Sequence, residues 1–318
     1  MSVWETWLQK GKLPVMERYE RGMRRAGTMA GKVAWGIFCA LVLFGLSFII
    51  LYPLFFMISM AFRSTADISD PSVIWVPRHF TMENILDALK FMDYGETLKN
   101  TFSLSIVSSL LQIVSCSLVG YGLARFRFRG RGLMFALVIL TIVIPPQVLY
   151  TPTYLMYRSL TLINTPWPLY LPAALGVGIK SGLFIYIFRQ FYINLPSELE
   201  DAAYIDGCGH VKTFLRIIIP NAGVAFLTVF LFSLVFYWND YYNVSMYLNN
   251  RKTVSTALST LASAFLTDSK YEAIIFNPYM ASTRMQAGCL ISMLPLLLIY
   301  LALQRFFVTG IERTGIVG

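Results

Sequence analysis

Charge is scarce in this sequence: 14% of its 318 residues are Asp, Glu, Lys or Arg, against 56% that are hydrophobic. Mean hydropathy is +0.60. A soluble domain of this size cannot hide so much apolar surface in one core, so lipid is the expected solvent. Cysteine is scarce too. Cys39, Cys116, Cys208 and Cys289 are scattered and form no CxxC pair. Three of them lie in apolar runs, where a free thiol behaves as a small hydrophobe. That argues against a disulfide framework and a thiolate metal site. The two histidines, His79 and His210, stand far apart and outside any HExxH context. There is no GxSxG, no pair of aspartates in the apolar runs and no GxxxxGK[ST] phosphate loop. No catalytic or metal-binding residue is expected, no cofactor is expected in the chain, and ATP hydrolysis by the chain itself is excluded.

What is present is length in the apolar runs. A helix needs about 20 apolar residues to cross a bilayer. Six runs qualify: 33–62, 100–124, 132–157, 159–188, 217–239 and 285–304. Pro53 predicts a kink in the first, and Pro145-Pro146 a break in the third. Lys180 stands inside the fourth, where a lysine at a helix centre costs about 2.5–3.5 kcal/mol on insertion scales. It reads equally as a polar contact on a solute path or as a side chain snorkelling to an interface. The expected fold is therefore all-α, a polytopic membrane protein with six transmembrane helices.

Basic residues set the expected orientation. The net charge of +9 is no pointer to nucleic acid here, because Lys and Arg gather in cytoplasmic loops of membrane proteins. Residues 1–32 carry seven of them, and Arg125, Arg127, Arg129 and Arg131 follow the second run. Both segments are expected in the cytoplasm, as is the C-terminus. The basic stretch before the first run is long, and that run is too long for a signal core, so no cleavable signal is expected. The loop after the first run is acidic on balance and is expected outside. So is 248–284, which reads as partly helical around 256–265.

One cytoplasmic loop carries a pattern. Residues 196–220 read PSELEDAAYIDGCGHVKTFLRIIIP. Ser197 followed by Glu200 fits a capping box at a helix start. Glu198, Glu200 and Asp201 sit where the helix dipole favours negative charge. Gly207 is a suitable C-terminal stop. A second helical run, 211–219, leads into the fifth span. Leu199, Ala202, Ala203 and Asp206 are expected on one face, with the alanines small enough to admit a partner.

This loop resembles the EAA loop of ABC-importer permeases in the form found in the sugar-transport family. The residues that carry the likeness are Asp201, Ala202, Ala203, Ile205, Asp206, Gly207, Phe214, Ile217 and Pro220, with Asp201 in place of the usual glutamate and Glu200 beside it. Similarity extends from about Leu98 to the end, through GYGLARFRFRG at 120–130, Ile144-Pro145-Pro146, 162–165 and Trp238-Asn239-Asp240. In the tail, Val317 replaces the family's usual lysine. The resemblance implies a type I ABC importer permease fold, with a permease core at 98–310, a coupling loop at 189–219 and a tail at 311–318. It implies that 200–207 docks on a cytoplasmic ATPase dimer, which holds the ATP and Mg. The other implied partners are a second, homologous permease, an external solute-binding protein, membrane lipid and a sugar. The expected home is a prokaryotic plasma (inner) membrane.

Tyr237, Trp238, Asn239 and Asp240 are the best sugar-facing candidates, since aromatic faces stack on pyranose rings and amides or carboxylates bond hydroxyls. Interfacial aromatic belts explain the same residues. Another cargo, such as a polyol or a glycerol phosphate, fits the same loop. A secondary transporter or channel is the alternative class, but it predicts inverted repeats and several charges within the spans. Lys180 is the only charge seen there, and no repeat is evident.

Overall fold

Among the described residues every regular element is helical, apart from one isolated bridge between Arg63 and Phe80. The computed structural model describes residues 3–267 and 278–314, and the side chains of 31–265 and 281–306. The chain divides into two units, 1–57 and 58–318. Of the expected cytoplasmic tail, 315–318 lie outside the described residues, as do 268–277 of the loop expected at 248–284.

The first unit is the greater part of a single helix, α1 (Val3–Ala61). It runs through Pro53 without a break, so the kink expected there does not interrupt the helix. Its stretch Gly31–Ala61 is long and apolar enough to cross a bilayer.

The second unit begins with the end of that helix and a short loop. Helices α2 (Thr65–Ser69) and α3 (Glu83–Phe91) lie there. The Asn84 amide donates to the carbonyls of Ala61 and Arg63, at 3.1 and 2.8 Å, and so closes the helix end. Asp67 accepts from the His79 backbone N–H at 2.9 Å and pairs with its ring at 2.8 Å. Burial raises the Asp67 carboxyl, but the His79 backbone N–H and then its ring outweigh this and hold it below its ordinary value.

The core is built on α4 (Tyr94–Arg125), long and apolar enough to span. Its buried face is polar: Ser105, Ser108, Ser109, Gln112, Ser115 and Ser117 are all enclosed. The third expected span is α5 (Arg131–Val143), a 3₁₀ turn from Pro146 to Leu149, and α6 (Tyr150–Ser159). The two arms meet at 96°, as the paired prolines predict. The fourth expected span is not one helix. It divides into α7 (Trp167–Ala174) and α8 (Ser181–Asn194). Gly176, at φ +73°, turns the chain between them, and Lys180 follows at φ +57°. Lys180 is thus the exposed N-cap of α8 and not a charge at a helix centre.

A broken helix leaves carbonyls open, and in lipid they must find partners inside the protein. Here α4 supplies them. Gln112 Nε2 donates to the Ile179 carbonyl at 2.6 Å and to Ser181 Oγ at 2.8 Å. Ser115 Oγ donates to the Ala173 carbonyl at 2.6 Å. Close approach is possible because Gly120 faces α8: a Cβ there would lie 2.7 Å from that of Phe188.

Beyond α8 come α9 (Glu198–Ile205) and α10 (His210–Thr213), then a π turn from Phe214 to Ile218 and α11 (Ile219–Asn221). Helix α12 (Gly223–Trp238) follows, bent 78° from the preceding segment. It is tied to α4 through Ser233 Oγ, which donates to Gln112 Oε1 at 2.8 Å. Helix α13 (Tyr242–Tyr247) leads to α14 (Val254–Thr267), where helix was expected around 256–265. The last helix, α15 (Pro278–Thr314), contains the third uninterrupted stretch long enough to span, Ala281–Phe306. Its Arg284 pairs with Asp87 of α3 at 2.9 Å, both largely buried. Three stretches and two bent pairs thus meet the length and hydropathy of a span, while the split fourth segment does not.

Two outcomes are expected. Gln112→Leu abandons the Ile179 carbonyl, Ser181 and Ser233, at roughly 1–3 kcal/mol for each group left unsatisfied. A thermal-shift measurement in detergent should show a lowered midpoint, and Gln112→Glu should be milder than Leu. Because Asp67 is held below its ordinary value, its contribution to stability is present above the usual carboxylate range and lost as pH falls through the lowered value. Melting between about pH 7 and pH 3 should decline at the acid end, and Asp67→Asn should flatten that decline.

Candidate functional site

The acidic-alanine loop folds as a helix, a glycine stop and a second helix. Its stop is a Schellman arrangement: Gly207 N–H donates to the Tyr204 carbonyl at 3.0 Å and Cys208 N–H to that of Ala203 at 2.9 Å. Gly207 adopts φ +77°, where a Cβ would be strained. The helix start differs from expectation. Ser197 is in the helical region and its hydroxyl makes no cap bond, so there is no capping box. Glu200 turns to Arg125, the last residue of α4, with Nε 3.0 Å from Oε1. A second nitrogen of Arg125 donates to the Leu195 carbonyl at 2.7 Å.

Successive helical positions differ by 100° in direction, so neighbours divide between two faces. Glu200 and Ala203 face inward and are buried. Asp201, Ala202, Ile205, Asp206 and Gly207 are exposed. The two alanines therefore do not share an outer face: Ala203 packs within this chain and Ala202 is left open. Ile205 is 87% exposed and Val211 is 73% exposed. Leu215 continues this apolar surface along the next turn. Tyr204 and His210 brace the two helices through a 2.8 Å hydrogen bond. Behind them Tyr121, Tyr192 and Phe214 pack edge to face or tilted, seating the loop on α4 and α8.

The candidates near α12 are dispersed. Tyr237 is buried, its hydroxyl against Gly178 in the break of the fourth segment. Trp238 is also buried, donating from Nε1 to the Ser292 carbonyl at 3.1 Å and meeting Phe102 edge-on. Asp240 is enclosed and accepts from the Asn243 backbone and side chain, both at 3.1 Å, which fastens the start of α13. Asn239 and Lys180 are exposed. Beside Asn239, Tyr241 and Tyr242 form an exposed pair, and Tyr150 of α6 stacks on Tyr242 with ring centroids 6.2 Å apart. Tyr150 was missed by sequence reasoning, since nothing local marks it as a neighbour of Tyr242. Arg125 was read only as an anchor, because its partner lies on a distant stretch of chain.

Residues 117–313, which include α9 and α12, match the family model for the binding-protein-dependent transport system inner membrane component. The chain belongs to this family. It is therefore a membrane-embedded transport permease, helical throughout its regular elements among the described residues, as expected. The protein LplC of Bacillus subtilis is 30% identical over 89% of this chain and 94% of its own length. The arabinooligosaccharides transport system permease protein AraQ of Halalkalibacterium halodurans is 28% identical over 86% of this chain and 93% of its own. The melibiose/raffinose/stachyose import permease protein MelC of Bacillus subtilis is 28% identical over 84% and 91%. A chain from the crystal structure of a bacterial ABC transporter involved in alginate import superposes with a TM-score of 0.69 at 21% identity, over 86% of this chain and 96% of that one. That likeness shows the ABC importer permease fold.

In this permease, Gly207→Val forces a β-branched side chain into a left-handed backbone at about 1–2 kcal/mol. The expected result is faster amide exchange across 198–208, read by mass spectrometry, with little change in exchange over α4.

Proposed function

We propose that this permease imports a sugar or oligosaccharide as one of two homologous membrane subunits driven by a cytoplasmic ATPase pair. The observation that carries the reading is the exposed face of α9 and α10. Asp201 and Ile205 project from α9 and Val211 from α10, two short helices braced from behind, a form suited to a groove on a partner. The acidic residue, the open Ala202 and the Gly207 stop are the features that resemble the coupling loop of importer permeases. ATP and Mg are held by the ATPase, and the chain supplies transport without hydrolysis. The termini and the α9–α10 loop face the cytoplasm on the distribution of Lys and Arg. An external binding protein delivers the solute. The domain plan is a cytoplasmic segment at 1–32, a first span at 33–62, a permease core at 98–310 with its coupling loop at 189–219, and a cytoplasmic tail at 311–318.

The sugar reading is supported by the names of relatives, which include arabinooligosaccharide and melibiose/raffinose/stachyose permeases. Within this chain the exposed residues suited to it are Asn239, Lys180, Tyr241 and Tyr242, with the half-buried Tyr150 stacked on Tyr242. Flat aromatic faces and free hydroxyls are what a pyranose ring requires, and the ammonium suits an acidic or hydroxyl-rich sugar. Tyr237, Trp238 and Asp240 then act from behind, holding the break and α13.

Two experiments test the reading. The tagged chain, purified in mild detergent from its own host, should bring down a P-loop ATPase and a second permease. Ile205→Glu should reduce ATPase recovery at least about tenfold while leaving membrane insertion intact, because a charge would enter an apolar contact. Purification of the chain alone, after gentle cross-linking as well, would move a secondary transporter or channel to the front. For cargo, uptake of radiolabelled arabinotriose, raffinose and a galacturonate oligomer should discriminate. Tyr242→Ala should weaken the apparent affinity for whichever is carried by about tenfold, the loss of one stacking face.

A further inference from the structure

We propose that the Arg125–Glu200 ion pair is the mechanical link between the docking helix α9 and the helix α4, so that the two acids Glu200 and Asp201 have opposite duties. Asp201 faces outward, towards the ATPase. Glu200 faces inward and ties α9 to the protein's own core. The inference rests on the docking reading of α9 and deepens it.

The geometry carries the division. Glu200 and Asp201 are adjacent on a helix and cannot both point the same way. Glu200 is 8% exposed. Its carboxylate lies 3.0 Å from Arg125 Nε, with the arginine side chain 14% exposed. The same guanidinium donates to the Leu195 carbonyl. One side chain thus grips the chain on both sides of Pro196. Arg125 stands in the last turn of α4, where the helix dipole favours a cation, so it is held even before the pair forms. Removing one member of an enclosed pair strands the other, which makes the link all-or-none in character.

What α4 does at its other contacts gives the link a consequence. Gln112 lies 13 positions before Arg125, about 20 Å along the same rigid helix. Gln112 holds the Ile179 carbonyl and Ser181 at the break of the fourth segment, and Ser233 of α12. A displacement of α9 that pulls Arg125 therefore reaches residues 176–181, which include the exposed Lys180. Arg125 and Glu200 are positioning residues on this route.

The test uses the full chain, co-expressed with the subunits of its own host and purified in mild detergent. Amide exchange over 198–205 and 176–181 is measured without nucleotide and after trapping with ATP, Mg and vanadate. Wild type should show a nucleotide-dependent change in both segments. Glu200→Gln and Arg125→Gln should each keep the ATPase yet shrink the change at 176–181 by about fivefold or more, a typical coupling between sites. The double substitution should be no worse than either single one. Arg125→Lys and the reversed pair Arg125→Glu with Glu200→Arg should regain most of the response, which guards against variants that merely fold poorly. Additive losses, or a full response at 176–181 in both single variants, would overturn the link. Loss of the ATPase from Glu200→Gln alone would overturn it by making Glu200 a docking acid. Absence of any ATPase from the wild-type preparation would sink the docking reading itself, and the link with it.

Discussion

Gln112 is enclosed in α4 and every polar atom of its amide is engaged. One side chain joins three elements: the break before α8, the start of α8 and the middle of α12. Hydrocarbon offers no hydrogen bonds, so a chain can interrupt a helix inside it only where another part of the protein receives the freed groups. Ser115 repeats the service one turn further along, at the Ala173 carbonyl. The discontinuity at 175–180, the strained Lys180 and the placement of Tyr237 over Gly178 all presuppose that polar face. The α4 helix is thus less an apolar rod than a bracket with hydroxyls and one amide along its inner side.

A second bracket stands at the far end of the same helix. Arg125 closes on Glu200 and on the Leu195 carbonyl, and aromatic rings from α4, α8 and the π turn fill the space behind α9. The outward side of α9 is left open, with the exposed Ile205 flanked by Asp201 and Asp206. The fold thereby presents a helix that is braced from within and open on its outer side, the form that the proposed docking on an ATPase calls for.

Much of this was legible from residue order, for identifiable reasons. The bend at Pro145-Pro146 and the stop at Gly207 follow from local chemistry, a missing N–H and a residue without Cβ, and the helix expected around 256–265 is present as Val254–Thr267. The acidic-alanine loop was legible as a pattern. Several local inferences did not hold. Ser197 and Glu200 have the spacing of a capping box, but a guanidinium from 75 positions earlier in the chain competes for the carboxylate. Lys180 sits in an unbroken apolar run, yet Gly176 and Gly178 let the backbone turn where hydropathy alone predicts a continuous helix. Trp238 and Tyr237 read as sugar-facing because aromatics next to Asn and Asp suit that chemistry. Their burial depends on α15 and α7, which no short window of sequence can reveal.

The polar lining of α4 also inverts the usual pattern of mutational tolerance. In a soluble helix the enclosed face rejects polar residues and the open face accepts them. Here Ser105, Ser108, Ser109 and Gln112 are enclosed, whereas Leu133, Leu137 and Val143 on α5 are open. Sequence drift should therefore run in opposite senses on the two helices. On α4, exchange of a hydroxyl for a larger hydrocarbon is the damaging kind of change. On α5 one aliphatic residue should replace another freely. A hydropathy profile, which scores the first exchange as an improvement, would rank such variants in the wrong order.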